Sequence, residues 1–245
     1  MPSVLIDGQA GTTGLDISQR LSDRQDIDLV TIEDTLRKDP AARLALMEQA
    51  DVTILCLPDA AALEAVELGS GKTRFLDAST AHRTAPGWIY GCPELEPAQR
   101  EKIAAADRVA NPGCYPQGFI LLIRPLVEAG VIDATALLSV FGLSGYSGGG
   151  RGMVERYQAF TSEEADALCA RPYGLTLEHK HRPEMQTYSG LAAAPLFSPT
   201  VANYYRGMLI EIPLHRAALA RSLNGAEIGN LLAERYDNEP FIEVH

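Results

Sequence analysis

Cys114 stands in the stretch Asn111-Pro-Gly-Cys-Tyr-Pro-Gln-Gly118, after a Pro-Gly turn and before the apolar run Phe119-Ile-Leu-Leu-Ile123. A turn that leads into a helix puts this sulfur near a helix N-terminus. There the helix dipole and the N–H groups of the first turn favour the thiolate, which is the reactive form of cysteine. The other three cysteines read differently. Cys56 belongs to an apolar strand, Cys169 falls in a helical pattern and Cys92 precedes Pro93, so all three are expected to be structural thiols. A nucleophile also needs a group that moves its proton, and histidine titrates close to neutrality. His179 and His181 are the candidates, and both are kept; on an extended segment, residues two apart point the same way. His82, His215 and His245 read as solvated or hydrogen-bonded side chains.

A second cluster suits phosphate. Gly8-Gln-Ala-Gly-Thr-Thr-Gly14 follows the apolar run Val4-Leu-Ile6 and precedes a helical pattern carrying Leu15, Ile17 and Leu21. Glycines at a strand-to-helix turn let the backbone approach a pyrophosphate whose charge meets the helix N-terminus. Gly8, Gly11, Thr12, Thr13 and Gly14 are therefore candidates for holding a dinucleotide. Glu33 and Asp34, at the end of the second strand, suit the ribose 2′-hydroxyl of NAD, whereas Arg37 and Lys38 suit the 2′-phosphate of NADP. The residues leave that choice open. Ser79 and Thr80 follow the fourth strand, on the side where such folds present groups to the nicotinamide. Arg151, after Ser147-Gly-Gly-Gly150, is a candidate for a substrate anion together with Ser147, and Arg83 and Arg182 are weaker ones. Glu184 either orients a histidine or touches substrate, although Pro-Glu is also a common helix start.

The elements that must carry these groups alternate in the first half. Strands at Val4–Ile6, Ile27–Ile32, Val52–Leu57, Arg74–Asp77 and Arg108–Ala110 are separated by helical patterns, including Ala41–Ala50, Ala60–Leu68 and Pro97–Ala106. This spacing predicts βαβ units and a parallel sheet. After a helix over Gly118–Ala129 the pattern changes. A strand at Leu137–Phe141, a helix over Val154–Leu168 and a strand at Met208–Ile212 predict an α+β domain with a mostly antiparallel sheet. The boundary is expected near residue 113, giving domains 1–113 and 114–245.

With 46% hydrophobic and 22% charged residues the chain has an ordinary globular composition, and its net charge of -11 argues against nucleic acid as a partner. No apolar run reaches the roughly 20 residues that span a bilayer, and the N-terminus lacks the basic flank of a signal peptide. The expectation is a cytoplasmic protein with reduced thiols, no membrane partner and no metal site.

Several stretches together resemble the N-acetyl-gamma-glutamyl-phosphate reductases, in particular the shorter of their two types, over nearly the whole chain. They are Ile6-Asp-Gly-Gln-Ala-Gly-Thr-Thr-Gly-Leu15, Leu76-Asp-Ala-Ser-Thr-Ala-His-Arg83, Tyr90-Gly-Cys-Pro-Glu-Leu95, Asn111 to Gly118, Gly145-Tyr-Ser-Gly-Gly-Gly-Arg151 and His179-Lys-His-Arg-Pro-Glu184. The family often has Thr where Gln117 stands. The resemblance implies a Rossmann domain for NADP, a catalytic domain, a homo-oligomer (dimer or tetramer), and reduction of an acyl phosphate through a thioester on Cys114. It implies that the catalytic histidine lies in the His179-Lys-His181 segment. Family members run tens of residues beyond Phe241-Ile-Glu-Val-His245, so a C-terminal part of the second domain is expected to be missing here. Two alternatives share these residues: a related reductase of the aspartate or aminoadipate pathways, and a non-catalytic NADP-binding protein.

Overall fold

A computed structural model describes residues 1–245, apart from the side chain of Thr12. The chain forms two compact units. Unit 1 comprises Met1–Gly91 and Arg100–Pro112, and unit 2 comprises Cys92–Gln99 and Gly113–His245. Besides the crossing expected near residue 113, an eight-residue stretch from the first half thus belongs to the second unit.

Unit 1 runs β1 (Ser3–Asp7), α1 (Thr12–Ser22), β2 (Asp28–Val30), α2 (Pro40–Met47), β3 (Val52–Leu55), α3 (Asp59–Leu68), β4 (Arg74–Asp77), β5 (Ile89–Tyr90), α4 (Gln99–Ala105, whose first residue falls in unit 2) and β6 (Arg108–Ala110). The strands form one sheet in the order β2-β1-β3-β4-β6-β5, and each pairing is parallel. A parallel sheet carries helices on both faces, which is why β3 is mostly apolar; its one polar residue, Thr53, is buried, its hydroxyl bonded to that of Thr73 at 3.1 Å. Met47, Ala62, Ala65 and Val66 of α2 and α3 close over Leu5, Leu55 and Phe75. Helix α2 starts where Pro40 fixes the first turn and the Asp39 carboxylate accepts the Ala42 N–H at 2.8 Å.

Unit 2 contains α5 (Cys114–Glu128), β7 (Ser139–Gly145), a 3₁₀ turn at Tyr146–Gly149, α6 (Arg151–Gln158), α7 (Ser162–Ala167), β8 (Ala170–Pro172), α8 (Arg182–Ser189), β9 (Leu196–Ala202), β10 (Met208–Glu211) and α9 (Gly225–Tyr236). Its sheet has the order β10-β7-β9-β8. Two of the pairings are antiparallel and β7–β9 is parallel. The helix expected over 154–168 is two helices. Thr161 interrupts it with a capping box, its hydroxyl accepting the Glu164 N–H while the Glu164 carboxylate accepts the Thr161 N–H. Helix α5 begins four residues earlier than the pattern implied, at Cys114 itself.

Tyr115, Phe119, Ile120, Ile123 and Leu126 of α5 are buried at helical spacing, with Val140 and Phe197 among the buried residues of β7 and β9. Pro125 lies inside α5 and has no N–H for the Leu121 carbonyl one turn back. The Tyr236 hydroxyl of α9 donates to that carbonyl at 2.6 Å, so the C-terminal helix repairs the break.

Candidate active site

In unit 1 the glycine loop lies between β1 and α1. The strand order reverses here, since β2 lies on one side of β1 and β3 on the other, and open α/β sheets bind ligands at the carboxyl ends of strands at such a reversal. Gly8 has φ +93°, and a Cβ there would stand 2.4 Å from the Cys56 carbonyl oxygen just past β3. A Cβ on Gly14 would stand 2.4 Å from the Gly8 oxygen. The Gly11 N–H closes the turn on the Gly8 oxygen at 3.0 Å, and Gly11 then caps α1 with no side chain of its own. The outcome is bare backbone before an eleven-residue helix. Gln9 ties this loop to the chain just past β2 by donating to the Ile32 carbonyl at 3.0 Å. Arg37 and Lys38, beyond β2, are exposed, as are Glu33 and Asp34. Thr13 is exposed in the first turn, while the side chain of Thr12 lies outside the described residues.

Ser79 reads differently once its surroundings are visible. It is buried, and its hydroxyl donates to Asp77 Oδ2 at 2.7 Å while its N–H donates to Oδ1 at 2.9 Å. His82 is buried too: Nδ1 is 2.6 Å from the same Asp77 oxygen, and the ring stacks on Trp88 at 4.0 Å. Thr80 is bound to Asp59 at the start of α3, through both its N–H and its hydroxyl. Arg83 donates from Nε to the Asn111 carbonyl at 3.0 Å and from Nη2 to the Ala78 carbonyl at 3.2 Å. The bonds of Ser79 and Arg83 thus tie the 77–83 motif to its own turn and to the Asn111 carbonyl. A cleft of about 1000 Å³ in unit 1, with Lys72, Arg74 and Arg108 in its wall, opens at the amino ends of the strands, away from the glycine loop.

In unit 2, Cys114 is exposed at the first position of the fifteen-residue helix α5, with Gly113 as cap. Tyr115 turns inward, and its hydroxyl donates to Ser144 Oγ at 2.7 Å. The Tyr115 ring meets Phe197 at 5.0 Å and His181 at 6.1 Å between centroids. His181 caps α8 and is buried. The 179–181 stretch is a turn rather than an extended segment: the His181 N–H donates to His179 Nδ1 at 3.2 Å, and the rings meet edge to face at 4.6 Å. Neutral His179 therefore carries its proton on Nε2. Burial, and then the charge of Lys180, hold His179 below the ordinary histidine range. Burial, with Cys114 among the smaller causes, pushes the Tyr115 and Tyr173 phenols up, so both are neutral hydroxyls near neutral pH. This tyrosine pair gave no signal in the sequence beyond the position of Tyr115 next to Cys114.

Glu184 is only 1% exposed, and its Oε2 accepts the Gly113 N–H at 2.9 Å. Through this oxygen it grips backbone beside the nucleophile. Arg151 starts α6, is 72% exposed and pairs with Glu155 at 2.8 Å. Ser147 is half-buried in the 3₁₀ turn just before it. The other thiols sort by burial. Cys56 is pushed up to about 11, by burial and then by the nearby Asp7 and Asp77 carboxylates. Cys92 is pushed up to about 12, by burial and then by Glu94. Cys169 is not a core residue of a helix; it is exposed in the bend before β8.

A family model described as semialdehyde dehydrogenase, dimerisation domain, matches residues 114–245. N-acetyl-gamma-glutamyl-phosphate reductase 2 of Nostoc sp. is 48% identical over 99% of this chain and 77% of its own length. N-acetyl-gamma-glutamyl-phosphate reductase of Chelativorans sp. is 50% identical over 95% of this chain and 74% of its own. Among solved structures, aspartate semialdehyde dehydrogenase from Francisella tularensis superposes with a TM-score of 0.70 at 11% identity, covering 96% of this chain and 81% of that one. The Candida albicans aspartate semialdehyde dehydrogenase, solved with NADP, gives 0.64 at 13% identity, covering 96% and 76%. These structures share the fold. No helix among the described residues is long and apolar enough to cross a membrane.

Proposed function

Since this chain belongs to the N-acetyl-gamma-glutamyl-phosphate reductase family, we propose that it reduces N-acetyl-gamma-glutamyl phosphate to the semialdehyde with NADPH, releasing phosphate, as a step of arginine biosynthesis in the cytoplasm. The observation that carries this reading is the exposed thiol of Cys114 at the first position of a long helix whose neighbouring turn presents two histidines. The bare glycine loop fits a dinucleotide, and family membership selects NADP, whose 2′-phosphate Arg37 and Lys38 suit; exposure does not discriminate, since Glu33 and Asp34 share it.

Unit 1 is the NADP-binding domain. Gly8, Gly11 and Gly14 admit the pyrophosphate, Thr12 and Thr13 lie in the first turn of the helix that meets it, and Arg37 meets the 2′-phosphate. Unit 2 is the catalytic domain. The Cys114 thiolate, favoured by the start of α5, attacks the acyl carbon; the carbon–oxygen bond to phosphate breaks and a thioester forms. The bound nicotinamide supplies the hydride that reduces the acyl carbon. Collapse of the resulting thiohemiacetal on Cys114 breaks the carbon–sulfur bond, frees the aldehyde and restores the thiolate. His181 handles the proton at the sulfur and at the hemiacetal oxygen, and His179, neutral and against its edge, keeps that ring oriented. Arg151 takes the substrate anion beside Ser147. Its exposed pair with Glu155, of a type worth about 0.3–0.5 kcal/mol, yields easily to a substrate carboxylate.

The test is turnover and cofactor binding on one preparation. Cys114→Ser should retain NADPH binding and lose turnover, and normal activity in that variant sinks the mechanism. Oxidative assays with phosphate and each aldehyde decide the substrate: turnover of aspartate semialdehyde alone would overturn the assignment.

The catalytic unit pairs with a second copy through the outer face of its sheet. Phe141, Leu196 and Leu209 are 47%, 46% and 57% exposed there, opposite the face that packs on α5. Leu209→Glu should shift the mass measured by light scattering from dimer to monomer; an unchanged mass removes this face from the interface.

A further inference from the structure

Three residues before the nucleophile carry backbone groups that the rest of the protein holds. The Asn111 N–H donates to the Asp77 carbonyl at 2.7 Å, and the Asn111 carbonyl accepts from Arg83 Nε at 3.0 Å. Pro112 has no N–H and a fixed φ. The Gly113 N–H donates to Glu184 Oε2 at 2.9 Å. Arg83 and Glu184 are 8% and 1% exposed, whereas Cys114 is exposed. Asn111 is thus held within unit 1 and Gly113 within unit 2.

We propose that Arg83 and Glu184 are positioning residues for Cys114 and do not contact substrate. Arg83 holds the start of the segment by spanning two carbonyls, Asn111 and Ala78, the latter at 3.2 Å. Glu184 holds its end, anchoring the cap of α5 to the first turn of α8, the helix that His181 caps. The first turn of a helix directs N–H groups at a side chain on its first residue only while that turn keeps its geometry. Releasing Gly113 lets the cap rotate, and the sulfur leaves both the helix axis and its line of attack. Displacements of about 1 Å at a reacting atom cost up to roughly a hundredfold in rate. This inference rests on Cys114 being the nucleophile.

The experiment compares full-length Glu184→Gln, Glu184→Asp, Glu184→Ala and Arg83→Lys. Gln keeps an acceptor at the right reach without the charge. Asp keeps the charge and loses the reach. Lys offers one cation where two carbonyls need spanning. Readouts are kcat, KM for the acyl phosphate, and the rate of iodoacetamide alkylation of Cys114 located by mass spectrometry. Positioning predicts that Gln retains most of the rate, while Asp, Ala and Lys lose about tenfold or more in kcat with KM little changed, and alkylate proportionally more slowly. A Gln variant as impaired as Ala, or variants that raise KM and leave kcat alone, would overturn it in favour of substrate contact. If Ala does not fold, the Gln and Asp pair carries the same comparison. Wild-type enzyme that turns over after alkylation at Cys114 would refute the nucleophile instead. Alkylation that abolishes turnover, together with wild-type rates in Asp and Lys, would refute the positioning role alone.

Discussion

Replacing Gly8 by alanine separates two costs that usually come together. The first is conformational. Gly8 has φ +93°, and a side chain in the left-handed region costs about 1–2 kcal/mol. The second is steric. The new Cβ would stand 2.4 Å from the Cys56 oxygen, 2.8 Å from the Cys56 carbonyl carbon and 3.1 Å from Leu57 Cδ2. Two of these atoms are backbone, and the Cys56 N–H is itself bonded to the Asp7 carbonyl at 2.8 Å, so relief means parting β1 from β3. Overpacking of that kind costs about 1–3 kcal/mol, for a total of roughly 2–5 kcal/mol. Gly71 is the control: its φ is +74°, but nothing lies within 4 Å of its Cβ position, so Gly71→Ala carries the conformational cost alone. Trp88, the single tryptophan, lies in unit 1 and is 9% exposed, so its fluorescence in urea follows this unit. Gly8→Ala should lose roughly 1–3 kcal/mol more than Gly71→Ala and bind NADPH at least about tenfold more weakly, the difference tracking the parted loop. Equal stability of the two variants with unaltered NADPH affinity would refute both the clash and the placement of the pyrophosphate.

Two further outcomes follow from unit 2. A Cβ at Gly142 would stand 2.5 Å from Tyr115 Cε1 and 3.1 Å from Phe197 Cε2. Gly142→Ala should therefore displace the Tyr115 ring, losing about 1–3 kcal/mol of stability and lowering kcat more than KM rises; normal kcat would disconnect Tyr115 from Cys114. The second concerns pH. His179 titrates lower in the folded chain than unfolded, so its contribution is whole above about pH 6.5 and shrinks as pH falls and the unfolded chain takes the proton first. Urea titrations should show wild type losing more stability than His179→Gln between about pH 7 and pH 5, by less than about 1 kcal/mol because the ring is half-buried. Parallel curves would mean that burial does not depress this histidine.

Local signals announced five of the six strands of unit 1, because strands covered on both faces carry short apolar runs; the two-residue β5 is too short to give one. The glycine loop was legible for a similar reason, since close backbone approach needs glycine whatever surrounds it. The parallel β7–β9 pairing was not legible, as β7 and β9 lie far apart in sequence and strand direction depends on the route between them. Cys114 stood out because a turn before an apolar helix fixes exposure locally. The backbone bonds of Arg83 and Glu184 stayed hidden because their acceptor and donor are main-chain groups 28 and 71 positions away, which no side-chain pattern reports. The bond from Ser79 to Asp77 was not legible, because a hydroxyl after a strand looks the same in sequence whatever it faces. The break between α6 and α7 was visible in Thr161 and Glu164, but a continuous helical pattern masked the cap.

The eight-residue stretch Cys92–Gln99 has a consequence for inheritance. Arg235 donates to the Leu95 carbonyl at 2.7 Å and Arg124 pairs with Glu96 at 3.0 Å, so this borrowed stretch is knitted into the half encoded downstream. A gene rearrangement cut at the last crossing would deliver either half torn: one with a dangling strip that has lost its bed, the other with a slot no residue fills. Shuffling the halves with those of distant cousins therefore requires two coordinated exchanges, one at each end of the stretch.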